Sequence, residues 1–262
     1  MAQIDVIFNK RSGAGRASST ARQLEKDLRG SDHEAKAIEI DKWPVDKHAD
    51  VLVVVGGDGT VKWAVECGLK ANHLPPIVIA PLGTANLLSI HLNHRYERGK
   101  IASTIDTMIR ANKIKSIDLA RANDEVMLLM AGIGFDADVV HDLAARRKGP
   151  ITKLSYLRPI ARSMLAFKPG EIEVEVDRKK IFKGPAAVIV ANIPEYGLGI
   201  PLAPDAKSDD GELDVVILPM ETLLGAVRQT ISVALQHRIL STAITARGKK
   251  IRIEGNERVQ ID

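Results

Sequence analysis

Cysteine is almost absent: Cys67 stands alone in a chain of 262 residues. That excludes an internal disulfide and a Cys-rich metal site, and it suits a reducing compartment, with the cytosol as the default. Aromatic residues make up only 3%, whereas nucleic-acid binders usually interleave them with basic clusters. The formal charge of +4 therefore points to a membrane surface or a phosphate-bearing ligand, and no nucleic-acid partner is expected. At the N-terminus the apolar residues 4–8 are few and interrupted by Asp5, so no signal peptide is expected. The longest uncharged apolar stretch, residues 126–135, is about half the ~20 residues that cross a bilayer as a helix. Membrane contact is expected to be peripheral, at the inner face. The seven histidines show no metal spacing, and neither a Gly-x-Ser-x-Gly elbow nor a paired catalytic Cys and His is present.

What the chain does have is 45% hydrophobic residues, enough for real cores, and a length that suits two domains. Its focal stretch is VLVVVGGDGT, residues 51–60. Five apolar, mostly β-branched residues running straight into Gly-Gly-Asp-Gly-Thr predict a buried parallel strand ending in a turn with exposed backbone amides. Such amides and the Thr60 hydroxyl suit a phosphate, and Asp58 suits Mg²⁺ or a proton.

Strands are predicted at residues 4–8, 37–40, 51–55 and 77–80, and helices at 17–28, 61–70 and 101–111. Their alternation argues for a doubly wound parallel sheet, whose Gly-, Ser-, Thr- and Asn-rich loops share the edge where ligands bind. After Lys115 the pattern becomes β-rich and antiparallel, with strands at 117–122, 125–131, 171–176, 180–183, 186–192, 213–218 and 249–254. Two helices interrupt it. One, at 136–167, carries the basic run Arg146, Arg147, Lys148, Lys153 and Arg158; the other, at 221–240, carries the apolar stripe Leu223, Leu224, Val227, Ile231 and Leu235. The domain boundary therefore falls near Ser116, giving an α/β unit over 1–116 and a β-rich unit over 117–262.

Five blocks in order, FNKRSG, VVVGGDGT, PLGTANLL, AGIGFDADVV and APDAKSDDGELDVVIL, resemble the diacylglycerol kinase catalytic-domain family, which includes sphingosine and ceramide kinases and bacterial lipid kinases. The resemblance implies an N-terminal α/β nucleotide domain joined to a C-terminal antiparallel β-sandwich, with ATP and Mg²⁺ as cofactors and a lipid as substrate. By position it places Asn9, Lys10, Arg11, Ser12, Gly13, Asp41, Gly57, Asp58, Gly59, Thr60, Val61, Lys62, Trp63 and Thr84 around ATP. Asp58 and Asp262 take catalytic roles. It likens residues 207–213 to a structural magnesium loop, with the Asp210 carboxylate and the carbonyls of Lys207 and Glu212 as ligands. Asp118 resembles an aspartate that joins a hydrogen-bonded network in relatives; a strand-end cap is the alternative.

Three departures qualify what is expected. Relatives follow GGDGT with an apolar residue and Asn-Glu, where this chain has Val61, Lys62 and Trp63. Leu87 replaces a frequent Asp after the GTAN block, which is expected to weaken a carboxylate network. VQID reaches Asp262 at the first position of an Asp-Gly-Glu motif, without the Gly and the Glu, and a lost general base commonly lowers turnover about 10²- to 10⁴-fold. The expectation is an ATP-dependent lipid kinase acting on a hydroxyl of diacylglycerol or a related lipid. The alternatives are a weak or inactive relative that binds nucleotide or lipid and acts through a partner, and a small-molecule kinase resembling NAD kinase. Oligomeric state stays open.

Overall fold

A computed structural model of the chain describes residues 1–43, 49–94, 96–97, 99–134, 170–196, 200–220 and 243–262. Two compact units make up the chain, Met1–Ser116 and Ile117–Asp262. The helices expected at 136–167 and 221–240, with the basic run and the apolar stripe assigned to them, lie outside the described residues.

The first unit runs β1 (Gln3–Phe8), α1 (Ala17–Arg29), β2 (Glu34–Glu39), β3 (Val51–Gly56), α2 (Asp58–Lys70), β4 (Ile77–Pro81), α3 (Leu87–His91) and α4 (Ile101–Ala111). Its sheet has the order β2-β1-β3-β4, with every pairing parallel. Side chains alternate across a strand, so Ile4, Val6 and Phe8 reach one face and join Val53, Val55, Val78 and Ala80 in a core with α1 and α4. Ile7, Leu52, Val54 and Ile79 alternate to the other face and are equally buried. A sheet covered on both faces explains the near-continuous apolar runs of β3 and β4. The edge strand β2 reads differently. Glu34 and Lys36 face water while Ala35 is buried, and for that reason the strand begins three residues before its sequence-predicted start.

One histidine ties the unit's periphery. Buried His33 accepts the Ala2 N–H at Nδ1 over 3.2 Å and faces Asp106 on α4 through Nε2 at 2.7 Å. The hydrogen bond from His33, reinforced by Arg110, holds the Asp106 carboxyl below its usual range.

The second unit contains β5 (Ala120–Ala122), β6 (Glu125–Met127), β7 (Met130–Ile133), β8 (Glu171–Val176), β9 (Lys179–Ala191), β10 (Glu195–Tyr196), β11 (Ile200–Pro201), β12 (Leu213–Pro219), β13 (Ile244–Gly248), β14 (Ile251–Glu254) and β15 (Val259–Ile261). Its main sheet runs β13-β12-β9-β7-β15, with β8 and β14 added alongside β9. All the pairings are antiparallel. The long β9 was expected as two strands, because Gly184 and Pro185 interrupt its apolar pattern. It is continuous and changes partners instead: Lys179 to Pro185 pair with β8, Ala186 to Ala191 pair with β12, and Val188 to Ala191 also pair with β7 on the other side. Val188 and Val190 enter a core with Ile172, Val174, Val215 and Ile217. Ala187, Ile189 and Ala191 alternate into a second core with Leu202, Val216 and Leu218.

Candidate functional site

The strand order β2-β1-β3-β4 carries the chain from β1 towards one edge of the sheet and from β3 towards the other. The loops after β1 and β3 therefore part at their carboxyl ends, leaving the crevice in which open α/β sheets bind ligands. The loop after β1 holds Asn9 to Gly13. Asn9 shapes it by accepting the Ser12 N–H at its carbonyl (2.9 Å) and the Arg11 N–H at Oδ1 (2.9 Å). Gly13, Ala14 and Gly15 follow with positive φ of 60°, 55° and 88°. An alanine held there is strained, a condition that clusters at ligand loops. Ser12 Oγ lies 3.4 Å from Thr60 Oγ1, so two hydroxyls from two strand ends meet across the crevice.

The loops after β3 and β4 are locked together. Leu82 donates its N–H to the Gly56 carbonyl at 2.8 Å. A Cβ built on Gly83 would lie 2.5 Å from Gly57 Cα and 2.7 Å from Asn86 Oδ1, so only hydrogen fits between these backbones. Asn86, at φ 52°, closes the second loop on itself: Oδ1 accepts the Gly83 N–H and Nδ2 donates to the Gly83 carbonyl, both at 2.8 Å. Gly83→Ala is expected to force the backbones apart and lower the melting temperature by about 2–6 °C in differential scanning calorimetry. An unchanged melt would mean that the contact is slack.

Asp58 completes the lock. Its Oδ2 accepts the Leu87 N–H at 3.0 Å and its Oδ1 the Leu88 N–H at 3.1 Å, capping α3. The carboxylate expected to face Mg²⁺ or a proton is thus directed at two backbone amides, as a strut between the loops. Leu87, expected to weaken a carboxylate network, supplies one of those amides and buries its own side chain. No side chain caps the start of α2 at Gly57, and the positive end of that helix opens beside the two hydroxyls.

The other sequence-predicted ATP residues differ in exposure. Lys10 is exposed and pairs with Glu39 at 2.7 Å; Arg11, Gly59 and Thr84 are exposed. Asp41 is exposed on a short turn, Ile40–Lys42, after β2 on the same sheet edge. Val61 is core, 1% accessible. Trp63 packs on Trp43, with ring centroids 6.1 Å apart and planes tilted by 49°, and buried Trp43 donates Nε1–H to Asp5 Oδ2 at 2.9 Å. The indole that departs from the family pattern is a packing element. Lys62 beside it is half-buried. Asn86 escaped sequence reasoning, although an Asn three residues after Gly in a turn is a recognisable signal for a left-handed backbone.

In the second unit Asp262 is directed at amides too. Its Oδ2 accepts the Leu128 N–H (2.8 Å), and its Oδ1 accepts those of Leu129 (2.7 Å) and Met130 (3.0 Å). With these three amides the carboxylate closes the turn between β6 and β7; a general base would in addition need a lone pair aimed at the substrate hydroxyl.

Asp118 accepts the Gly211 N–H at 2.6 Å and donates its own N–H to the Ser208 carbonyl at 2.6 Å, pinning the loop that holds Lys207, Asp210 and Glu212. Within that loop Asp210 Oδ1 accepts the Glu212 N–H at 3.1 Å, and Oδ2 faces Arg247 Nη1 at 3.9 Å. The loop offers Mg²⁺ one carboxylate already turned to an amide and a guanidinium, and no cluster of three or more His, Cys, Asp or Glu suited to a metal occurs among the described residues. Of the ligand set that the resemblance implies, the Asp210 carboxylate with the Lys207 and Glu212 carbonyls, the carboxylate is thus engaged elsewhere, and the guanidinium beside it opposes a cation. Hydrogen bonding to Asp214 raises the Arg247 guanidinium above its ordinary range, so it is a permanent cation.

Comparison with known proteins gives a consistent picture. Residues 3–122 match the family model described as diacylglycerol kinase catalytic domain, and residues 130–262 match that of the YegS C-terminal NAD kinase beta sandwich-like domain. A diacylglycerol kinase of Bacillus subtilis is 25% identical over 215 residues, covering 81% of this chain and 70% of that protein. One of Staphylococcus saprophyticus is 25% identical over 180 residues, 68% of this chain, and the match spans 57% of that relative's length. A solved diacylglycerol kinase structure from Bacillus anthracis shares the fold, with a TM-score of 0.70 at 23% identity over 99% of this chain and 89% of the other.

Proposed function

Because the chain belongs to the diacylglycerol kinase catalytic-domain family, we propose that it is an ATP-dependent lipid kinase that phosphorylates a hydroxyl of diacylglycerol or a related lipid. The observation that carries this reading is the convergence of three loops at the β1/β3 crevice, two of them in backbone contact through Gly57 and Gly83. Phosphoryl transfer leaves little covalent work for a protein; catalysis is positioning and charge neutralisation. Ser12 Oγ, Thr60 Oγ1 and the amides opening α2 would hold the ATP phosphates, and Asp58 would keep the two glycine-rich loops in register. Mg²⁺ bound with the nucleotide would neutralise charge across the phosphates. Among the described residues no helix is long and apolar enough to cross a membrane; a lipid acceptor calls for peripheral contact with a membrane surface, at its cytoplasmic side.

Labelled ATP, Mg²⁺ and mixed bacterial lipids should yield a labelled phospholipid with the wild-type chain. No product above an Asp58→Ala control would overturn the kinase reading. A second reading, a weak relative that binds nucleotide, is favoured by the three amides around Asp262 and by the packing of Trp63. A rise in melting temperature with ATP but no lipid product would select it.

A further inference from the structure

Five acidic residues, Asp205, Asp209, Asp210, Glu212 and Asp214, fall within ten positions of the second unit, with Lys207 as the sole base among them. Repulsion among these carboxylates is eased by a cation placed between them. Arg247 is placed for that by strand register, because on β13 it stands directly opposite Asp214 on β12. Its Nε lies 3.2 Å from both Asp214 oxygens and its Nη2 3.0 Å from Oδ1. The same Nη2 donates to the Asp205 carbonyl, and Nη1 reaches towards Asp210 Oδ2 at 3.9 Å. One planar fork therefore spans the beginning, middle and end of the loop, a geometry open to a guanidinium and closed to an ammonium.

We infer that Arg247 is the resident cation of the 205–214 loop, holding by side-chain hydrogen bonds what a structural divalent ion would hold by coordination. An ion bound at Asp210 Oδ2 would sit against the guanidinium and be repelled. The loop's other braces are also metal-free: Asp118 accepts the Gly211 N–H, and Gly211 turns the chain at φ 72°. This inference is independent of the proposed kinase activity, since it concerns how the second unit is held.

Thermal melts of the full chain in EDTA, in MgCl₂ and in CaCl₂ at matched ionic strength test it. The wild type should melt at the same temperature in all three. Arg247→Met should melt about 2–4 °C lower in EDTA and regain part of the loss in CaCl₂ or MgCl₂, because the freed carboxylates then attract a divalent ion. Arg247→Lys should fall between the two, keeping the charge without the fork. A wild-type rise in MgCl₂ that Asp210→Asn abolishes would place a metal at the loop and overturn the inference; a rise that survives Asp210→Asn would place the metal elsewhere and leave it standing. Arg247→Met melting like the wild type would overturn it as well. If Arg247→Met does not fold, the Arg247→Lys melt and the Asp210→Asn comparison decide.

Discussion

Asp262→Ala is expected to destabilise the second unit by about 3 kcal/mol or more. The substitution strands three backbone donors, two of them on Leu128 and Leu129, which are 1% and 2% accessible. Each buried donor left without an acceptor costs about 1–3 kcal/mol. At roughly 2–4 °C per kcal/mol for a unit of this size, the far-UV circular dichroism transition should fall by about 6–12 °C. The chain's two tryptophans, Trp43 and Trp63, both lie in the first unit, so the fluorescence melt should move much less. Asp262→Asn, which keeps one acceptor oxygen, should lose less. If Asp262→Ala melted like the wild type and yet lost phosphate transfer, the carboxylate would belong to the chemistry after all.

Asp58→Ala is expected to lower turnover about 10²-fold, because misplacing a positioned group by about 1 Å costs that much. Without the carboxylate, the Leu87 and Leu88 amides lose their acceptor and the loops of residues 56–60 and 82–88 lose their strut. The KM for ATP should rise together with the fall in kcat, since both loops border the proposed phosphate site. The residual activity should keep the wild-type half-saturation for Mg²⁺, as expected of a positioning residue. A weaker Mg²⁺ dependence in the variant, with the ATP KM unchanged, would instead make Asp58 a metal ligand.

Much of the first unit is legible in its residues because burial on both faces writes itself as apolar runs, as in β3 and β4. The edge strand β2 is less so, since Glu34 and Lys36 at its start face water and read as loop. Each glycine-rich turn could be recognised singly. Their mutual contact could not, because it joins Gly57 to Gly83 through backbone atoms that carry no side-chain signature. The same reason hid the partners of Asp58 and Asp262: a carboxylate in a motif reads as chemistry, and backbone amides cannot be seen in a string of letters. Arg247 was missed because its role depends on the register of β13 against β12, which places it opposite Asp214, 33 residues away. The departures at Trp63 and Leu87 read as losses in a list of motifs; in three dimensions one is a ring packed on Trp43 and the other an amide donor with a buried side chain.

The strand β15 has one more consequence, for the order of events during synthesis. It pairs with β7 from Val259 to Ile261, and Asp262 then grips amides 132 to 134 positions earlier. The first unit, by contrast, is assembled from neighbouring strand-helix-strand segments. On a ribosome it can collapse as soon as its own residues emerge, while β7 waits with an unpaired edge until residues near 260 are made. That waiting edge is open to mispairing with another copy, and slowing translation after Ser116 should leave the first unit intact and the second prone to aggregation.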